Sequence, residues 1–189
     1  MGLKPPGKIA SIMSCMMDYN NCLVGADLDS REPEVSNALA LFQANLEEGD
    51  KVMVIGKERP DYDSFDVRFH PYLISNDPVE IRWLEKGGGY GRVSDPLLVR
   101  MGRQFKGVWV TKGLEGYSFD QIAAATKNLR SNMKYNGMLF IGVRVLTDPE
   151  TAKEALKSIG YTLFRIYNRP KDNGEADLCL FAILYNLGL

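Results

Sequence analysis

Apolar positions along the chain follow two rhythms. Short runs rich in β-branched and aromatic residues alternate with stretches whose apolar side chains recur every three to four positions, the pattern of an α/β layered domain. Residues 22–26 predict a first strand, ending in Asp27-Leu28-Asp29. A helix follows, with Pro33 suited to its first turn, Val35, Leu39, Phe42 and Leu46 on one face, and Gly49 as its stop. Residues 51–55 predict the second strand. Residues 67–74 and 79–84 predict two more, the former an edge or broken element because it contains His70-Pro71.

The C-terminal half reads more sharply. Residues 108–111 predict a buried strand, and Ser118 with Gln121 forms a capping box for a helix carrying Ile122, Ala125, Leu129 and Met133. Residues 138–146 predict a long strand. Thr147-Asp148-Pro149-Glu150 opens a helix with Ala152, Leu156 and Ile159 on its face and Gly160 at its end. Strands at 161–167 and 178–185 flank the polar loop 168–177, and a further helix is expected over 97–105. Strand, helix and strand over 22–56 are echoed over 108–142. Two such halves predict a Rossmann-like three-layer sandwich of about seven strands, mostly parallel, with an antiparallel C-terminal hairpin. The domain spans 9–189 behind a loose arm, 1–8. Ligands of such sheets bind beyond the strands' carboxyl ends, here at 25–31, 56–59, 112–120 and 144–147.

Composition narrows this picture. At 189 residues, 45% of them hydrophobic, the chain suits one domain with a substantial core. No window holds the ~20 apolar residues of a membrane span, and the N-terminus has neither a secretory core nor a myristoylation pattern, so a cytoplasmic setting is expected, in a cell or in the host of a virus. Cys15, Cys22 and Cys179 are odd in number and stand in apolar surroundings, which suits reduced thiols. With one histidine and no paired Cys-x-x-Cys, zinc is not expected. His70 is expected to serve as a structural hydrogen-bonder.

The net charge of −1 conceals a strong asymmetry. Residues 27–85 hold 14 acidic and 6 basic side chains, whereas residues 86–144 hold 10 basic and 3 acidic ones. Either folding mixes the two segments, or it leaves a basic face for RNA or DNA formed by Arg92, Arg100, Arg103, Lys106, Lys112, Lys127, Arg130 and Lys134. Tyr90, Tyr117 and Tyr135 could stack bases beside it, while Trp109, inside a strand, is expected in the core. The sequence leaves the oligomeric state open.

Three constellations carry candidate chemistry. Glu85-Lys86-Gly87-Gly88-Gly89-Tyr90-Gly91 has the glycine spacing that lets a backbone approach a nucleotide or S-adenosylmethionine, with Gly87 and Gly89 as candidate contacts, although it also suits a plain surface loop. Asp27 and Asp29 end a strand two residues apart, a spacing that suits Mg²⁺. The same acids at a helix N-terminus would satisfy its dipole. This Asp-Leu-Asp-Ser-Arg-Glu segment resembles the acidic motif of Toprim domains, which implies Mg²⁺-dependent phosphoryl chemistry as one alternative.

From Gly107 onward, the order of strands and helices resembles the terminal half of class I S-adenosylmethionine-dependent methyltransferases. Phe140-Ile141-Gly142-Val143-Arg144-Val145 and Gly174-Glu175-Ala176-Asp177-Leu178-Cys179-Leu180 are similar to the closing motifs of FtsJ-type and viral ribose 2′-O-methyltransferases. The resemblance implies S-adenosylmethionine as cofactor, with Lys112, Arg144 and Glu175 in catalytic positions. It also implies Gly25, Asp27 and Glu58 on the cofactor side, Glu58 as the acid ending the second strand. Lys112 stands where that family has Asp, Arg144 replaces its Lys, and Val24-Gly25-Ala26-Asp27 carries one glycine of its glycine-rich motif. These replacements keep open a non-catalytic binding or assembly module of the same fold.

Overall fold

The computed structural model describes residues 19–188, so Cys15 and the expected arm at 1–8 lie outside the described residues. In chain order the elements are β1 (Leu23–Gly25), α1 (Pro33–Ala44), β2 (Val52–Ile55), α2 (Arg59–Asp63), β3 (Pro71–Ser75), α3 (Pro78–Lys86), β4 (Gly91–Val93) and β5 (Phe105–Val110). They continue with α4 (Phe119–Arg130), β6 (Met133–Val145), α5 (Pro149–Ser158), β7 (Thr162–Pro170) and β8 (Ala176–Tyr185). Eight strands form one sheet in the order β4-β3-β2-β5-β6-β8-β7, and β1 pairs with β6 off this path. Strands β2 to β6 are mutually parallel, while β8 runs antiparallel to β6 and β7 antiparallel to β8. The result is the expected three-layer Rossmann-like sandwich with its C-terminal hairpin.

Its N-terminal half departs from the sequence reading in three places. Strand β1 is not the first strand of a parallel βαβ unit: it lies antiparallel to β6, Leu23 opposite Val145 and Gly25 opposite Val143. Strand β5 ends opposite Ile141, and β1 takes up the same flank of β6 beyond it. The expected strand at 79–84 is helix α3. Its alternating Val-Glu-Ile-Arg pattern mimics a strand, but Asp77 accepts the Val79 N–H at 2.8 Å and Pro78 occupies the first turn. The helix buries Ile81 and Leu84 and leaves Trp83 62% exposed. The expected helix at 97–105 is irregular chain leading into β5. Side chains from α4 and its C-terminus hold it instead, Asn128 donating to the Pro96 and Val99 carbonyls and Asn132 accepting the Met101 N–H. His70, in the left-handed region at φ 38°, separates the 3₁₀ turn Val67–Phe69 from β3, so 67–74 is a broken element as its proline suggested.

Alternation along the parallel strands sends successive side chains to opposite faces. On one face Val52, Val54, Trp109 and Phe140 pack against Val35, Leu39 and Phe42 of α1 and Leu84 of α3. On the other, Val108, Val110, Leu139 and Ile141 meet Ile122, Ala125 and Leu129 of α4 and Ala152 and Leu156 of α5. Trp109 stacks on Phe140 with ring centroids 4.1 Å apart, and Phe42 meets Trp109 edge-on at 5.3 Å. Gly107 gives this cluster its room, since a Cβ there would stand 2.7 Å from Phe42. Truncating the central ring removes burial and leaves a cavity. Trp109→Ala should therefore lower unfolding free energy by about 3–5 kcal/mol, read from urea denaturation.

Candidate functional site

The chain leaves β2 outward through β3 to β4 and then returns to β5 and β6, so the strand order reverses between β2 and β5. In open α/β sheets such a reversal opens a crevice at the strands' carboxyl ends. Here it is a cleft of about 240 Å³. Four strand ends line it: Gly56 and Lys57 after β2, Ser75 and Asn76 at β3, Ser94 and Asp95 after β4, and Gly113, Glu115 and Tyr117 after β5. Tyr117 Oη donates to Asp95, 3.2 Å from Oδ1, and burial together with that carboxylate pushes the phenol up to about 12. Ser75, almost fully buried, donates its hydroxyl to the Lys57 carbonyl and accepts the Asp77 N–H, joining the ends of β2 and β3.

Two lysines organise the cleft's edge. Lys57 Nζ lies 3.1 Å from Glu115 Oε1 and 3.2 Å from Asp27 Oδ2. Lys112 Nζ lies 2.9 Å from Asp61 Oδ1 and 3.8 Å from Glu58 Oε1. Lys112 and Asp61 are both buried, 6% and 7% exposed. The second Asp61 oxygen accepts the backbone N–H groups of Lys57 and Glu58, at 2.8 and 3.1 Å. One carboxylate thus closes the turn after β2 and binds the end of β5. Gly56 is required there, because a Cβ would stand 2.8 Å from Asp61. Burial pulls the Lys112 pKa down, but the hydrogen bond and charge of Asp61 more than reverse this and leave it raised.

The N-terminal segment crosses above these ends. Gly25 N–H donates to the Tyr117 carbonyl at 3.3 Å and Leu28 N–H to the Thr111 carbonyl at 2.9 Å. Gly25 allows this approach, since a Cβ there would coincide with the Leu114 carbonyl. Asp29 is held by Arg31, whose guanidinium lies 2.6 Å away and lowers its pKa well below the carboxylate range. Asp27 and Asp29 therefore each face a cation, Lys57 and Arg31, rather than sharing an ion. Among the described residues no group of His, Cys, Asp and Glu is arranged to hold a metal.

Of the residues singled out in sequence, Gly25, Asp27, Glu58 and Lys112 meet at this switch point. Arg144 sits on β6, 4.0 Å from Asp177, and Glu175 lies in the exposed β7–β8 turn, accepting from Asn173. Neither touches Lys112. Gly87 and Gly89 lie elsewhere: they end α3 and lead into β4, away from the strands' carboxyl ends. Gly87 N–H donates to the Trp83 and Leu84 carbonyls, so this glycine loop is a helix terminus. Glu58 follows the central strand β2, not the neighbouring strand whose terminal acid the resemblance invoked. Counting 22–26 as the first parallel strand displaced the assignments of the N-terminal half by one, whereas β5, β6 and the C-terminal hairpin keep their expected places. Lys57, Glu115 and Tyr117 fall inside the expected stretches 56–59 and 112–120, though none was given a role in a cofactor cleft, and Asp61 and Asp95 lie outside every expected stretch. The one available signal was Asp61 three positions after Glu58, a helix-start spacing that also brings a carboxylate back to a strand end.

Removing one member of a buried pair strands the other's charge. Asp61→Asn should cost about 3–5 kcal/mol in urea unfolding, and Asp61→Asn with Lys112→Met should regain most of it. Because the folded Lys112 pKa is raised, its contribution is complete at neutral pH and is lost as pH climbs through the lysine range. The stability gap between wild type and the double variant should narrow in alkali.

No protein-family model matches this sequence, and no curated protein matches it significantly. Its fold does match solved structures. The N-methyltransferase NodS from Bradyrhizobium japonicum WM9 superposes with a TM-score of 0.60 at 17% identity, covering 84% of this chain and 99% of that one. The 1,6-didemethyltoxoflavin-N1-methyltransferase from Burkholderia thailandensis, solved with S-adenosylhomocysteine, gives 0.60 at 15% identity over 98% and 92%. The [4+2]-cyclase SpnF gives 0.59 at 10% identity over the whole of both chains. The protein has the Rossmann-like fold of class I S-adenosylmethionine-dependent methyltransferases, a scaffold that also carries other chemistry.

Proposed function

We propose that the protein is methyltransferase-like and binds S-adenosylmethionine in the cleft between the ends of β2, β3, β4 and β5. The position of this cleft at the switch point carries the reading. The donor set fits the cofactor. Carboxylates of Asp95 and Glu115 suit its ribose hydroxyls and its sulfonium and ammonium charges, and the single lining cation, Lys57, suits its carboxylate. When bound, the cofactor supplies an electrophilic methyl group on a cationic sulfur.

The chain's own residues constrain the acceptor. Lys112 and Lys57 both have raised pKa values and are ammonium ions at neutral pH, and Arg144 has no accessible neutral form. None of the three takes a proton. They supply charge and position, which favours an acceptor that already bears a free lone pair, such as an amine or a carboxylate. A ribose 2′-hydroxyl in RNA, the acceptor implied by the FtsJ-type and viral resemblance, needs a base, and with these cations excluded a carboxylate would have to serve. Asp27, half exposed beside Lys57, is a group of that kind. The buried free thiols Cys22 and Cys179 suit a reducing compartment, the cytoplasm of a cell or of a virus's host, and among the described residues no helix is long and apolar enough to cross a membrane.

A second reading, a non-catalytic module of this fold, is favoured by the turn after β2. Its Lys57 and Glu58 amides are bound to Asp61, and α2 is a single five-residue turn, so this turn offers the cleft no long helix N-terminus. Thermal unfolding with added ligand separates the two. At a hundredfold excess over its Kd, S-adenosylmethionine should add about 2.7 kcal/mol, or roughly 5–10 °C in Tm for a chain of this size. Asp95→Asn with Glu115→Gln should abolish the shift. Wild-type protein unmoved by millimolar S-adenosylmethionine and S-adenosylhomocysteine would decide for the module.

A further inference from the structure

Ion pairing in this fold is uneven. The bases of the N-terminal half and the C-terminal hairpin mostly meet carboxylates, among them Arg31, Lys57, Arg59, Arg68, Arg165, Arg169 and Lys171. Among the described residues, Arg103, Lys106, Lys127 and Lys134 have no carboxylate in ion-pair contact. The acids of their own stretch are engaged elsewhere: Asp95 with Tyr117, Glu115 with Lys57 and Asp120 with Asn20. Folding therefore pairs Lys112 of the basic segment with Asp61 and Glu58 of the acidic one but leaves these four bases without carboxylate partners.

Two of these bases, Arg103 and Lys127, line a groove of about 450 Å³ together with Thr126, Arg130, Ser131 and Asn186. It lies at the strands' amino ends. Arg103 precedes β5, Lys127 and Arg130 occupy the last turn of α4, and Asn186 follows β8. The negative end of the α4 dipole accounts for Lys127 and Arg130 but not for Arg103 or Lys134. Asn186 donates to the Met133 and Lys134 carbonyls, so the start of β6, with Lys134 and Tyr135, adjoins the Asn186 wall of the groove. The Tyr135 ring is 64% exposed and rests against Gly188. Arg103 and Lys127 in the groove, and Lys134 and the exposed Tyr135 on the adjoining start of β6, combine cations clear of carboxylates with an aromatic ring, the features that hold a phosphate backbone and stack a base.

We propose that this groove binds single-stranded nucleic acid, with Arg103, Lys127 and Lys134 on phosphates and Tyr135 against a base. The interactions address phosphate and a π-face, so RNA and DNA bind alike. The site stands at the opposite end of the sheet from the cofactor cleft and needs no cofactor.

Fluorescence anisotropy of a labelled ~12-nucleotide strand with the full chain tests this. Binding should weaken linearly in log affinity against log salt. R103E/K127E should bind at least tenfold more weakly, with the salt slope shallower by about 0.7 for each phosphate that is no longer neutralised. Y135A should weaken binding by roughly tenfold through loss of stacking. The charge-conserving R103K/K127R should restore wild-type affinity, and unchanged circular dichroism melting verifies that each variant folds. The proposal is overturned by absence of binding at about 50 mM salt. It is equally overturned if R68E/K171E, the same charge change elsewhere on the surface, causes an equal loss, or if an acidic peptide of matched charge competes as well as the unlabelled strand.

Discussion

The buried pair between Lys112 and Asp61 is the interaction on which this site depends. It joins the ends of β2 and β5, the two strands between which the sheet changes direction. A lysine taken out of water costs several kcal/mol unless a carboxylate meets it in good geometry. Asp61 meets it while also accepting two backbone amides, so the carboxylate's remaining hydrogen-bonding capacity is used. The same contacts set the path of the turn after β2 and require glycine at 56.

The architecture also assigns its two ends to different tasks. At the carboxyl ends, carboxylates predominate, and lysines are held against them. At the amino ends, Arg103 and Lys127 stand without carboxylates around an open groove. A near-zero total charge is thus compatible with a strongly polar molecule, because electrostatic potential depends on local charge and falls away within about a Debye length, ~10 Å at moderate salt. Shared fold with both methyltransferases and a cyclase leaves chemistry to these local arrangements, as expected when function resides in sites grafted onto a common scaffold.

The elements legible in sequence were those whose local signals agreed. The Ser118–Gln121 box, the Asp148 cap before Pro149 and the apolar run of β6 each mark an element that forms, although α4 ends at Arg130 and Met133, expected on its face, instead opens β6 five residues before the expected start. Helix α3 misled because Val79 and Trp83, its exposed apolar residues, completed a strand-like alternation with Ile81. Strand β1 misled differently: its composition was read correctly as a strand, but nothing local specifies a partner. Gly25, Asp27, Glu58 and Lys112 were found because they follow strands, and strand ends are visible in sequence. Asp61 was not, because its importance lies in a lysine 51 positions away.

By itself, then, the sequence determined the layered α/β class, the C-terminal hairpin, the central place of Trp109 and the separation of acidic from basic segments. Periodicity, caps and composition are properties of neighbours along the chain, and they report faithfully on structure of that range. Tertiary structure alone decided the antiparallel docking of β1 on β6, the demotion of the Gly87–Gly89 loop to a helix terminus, and the union of Lys57, Lys112, Asp61 and Glu115 around one cleft. Those outcomes depend on pairing energies between residues far apart in sequence, which are realised only when the sheet brings its strand ends together.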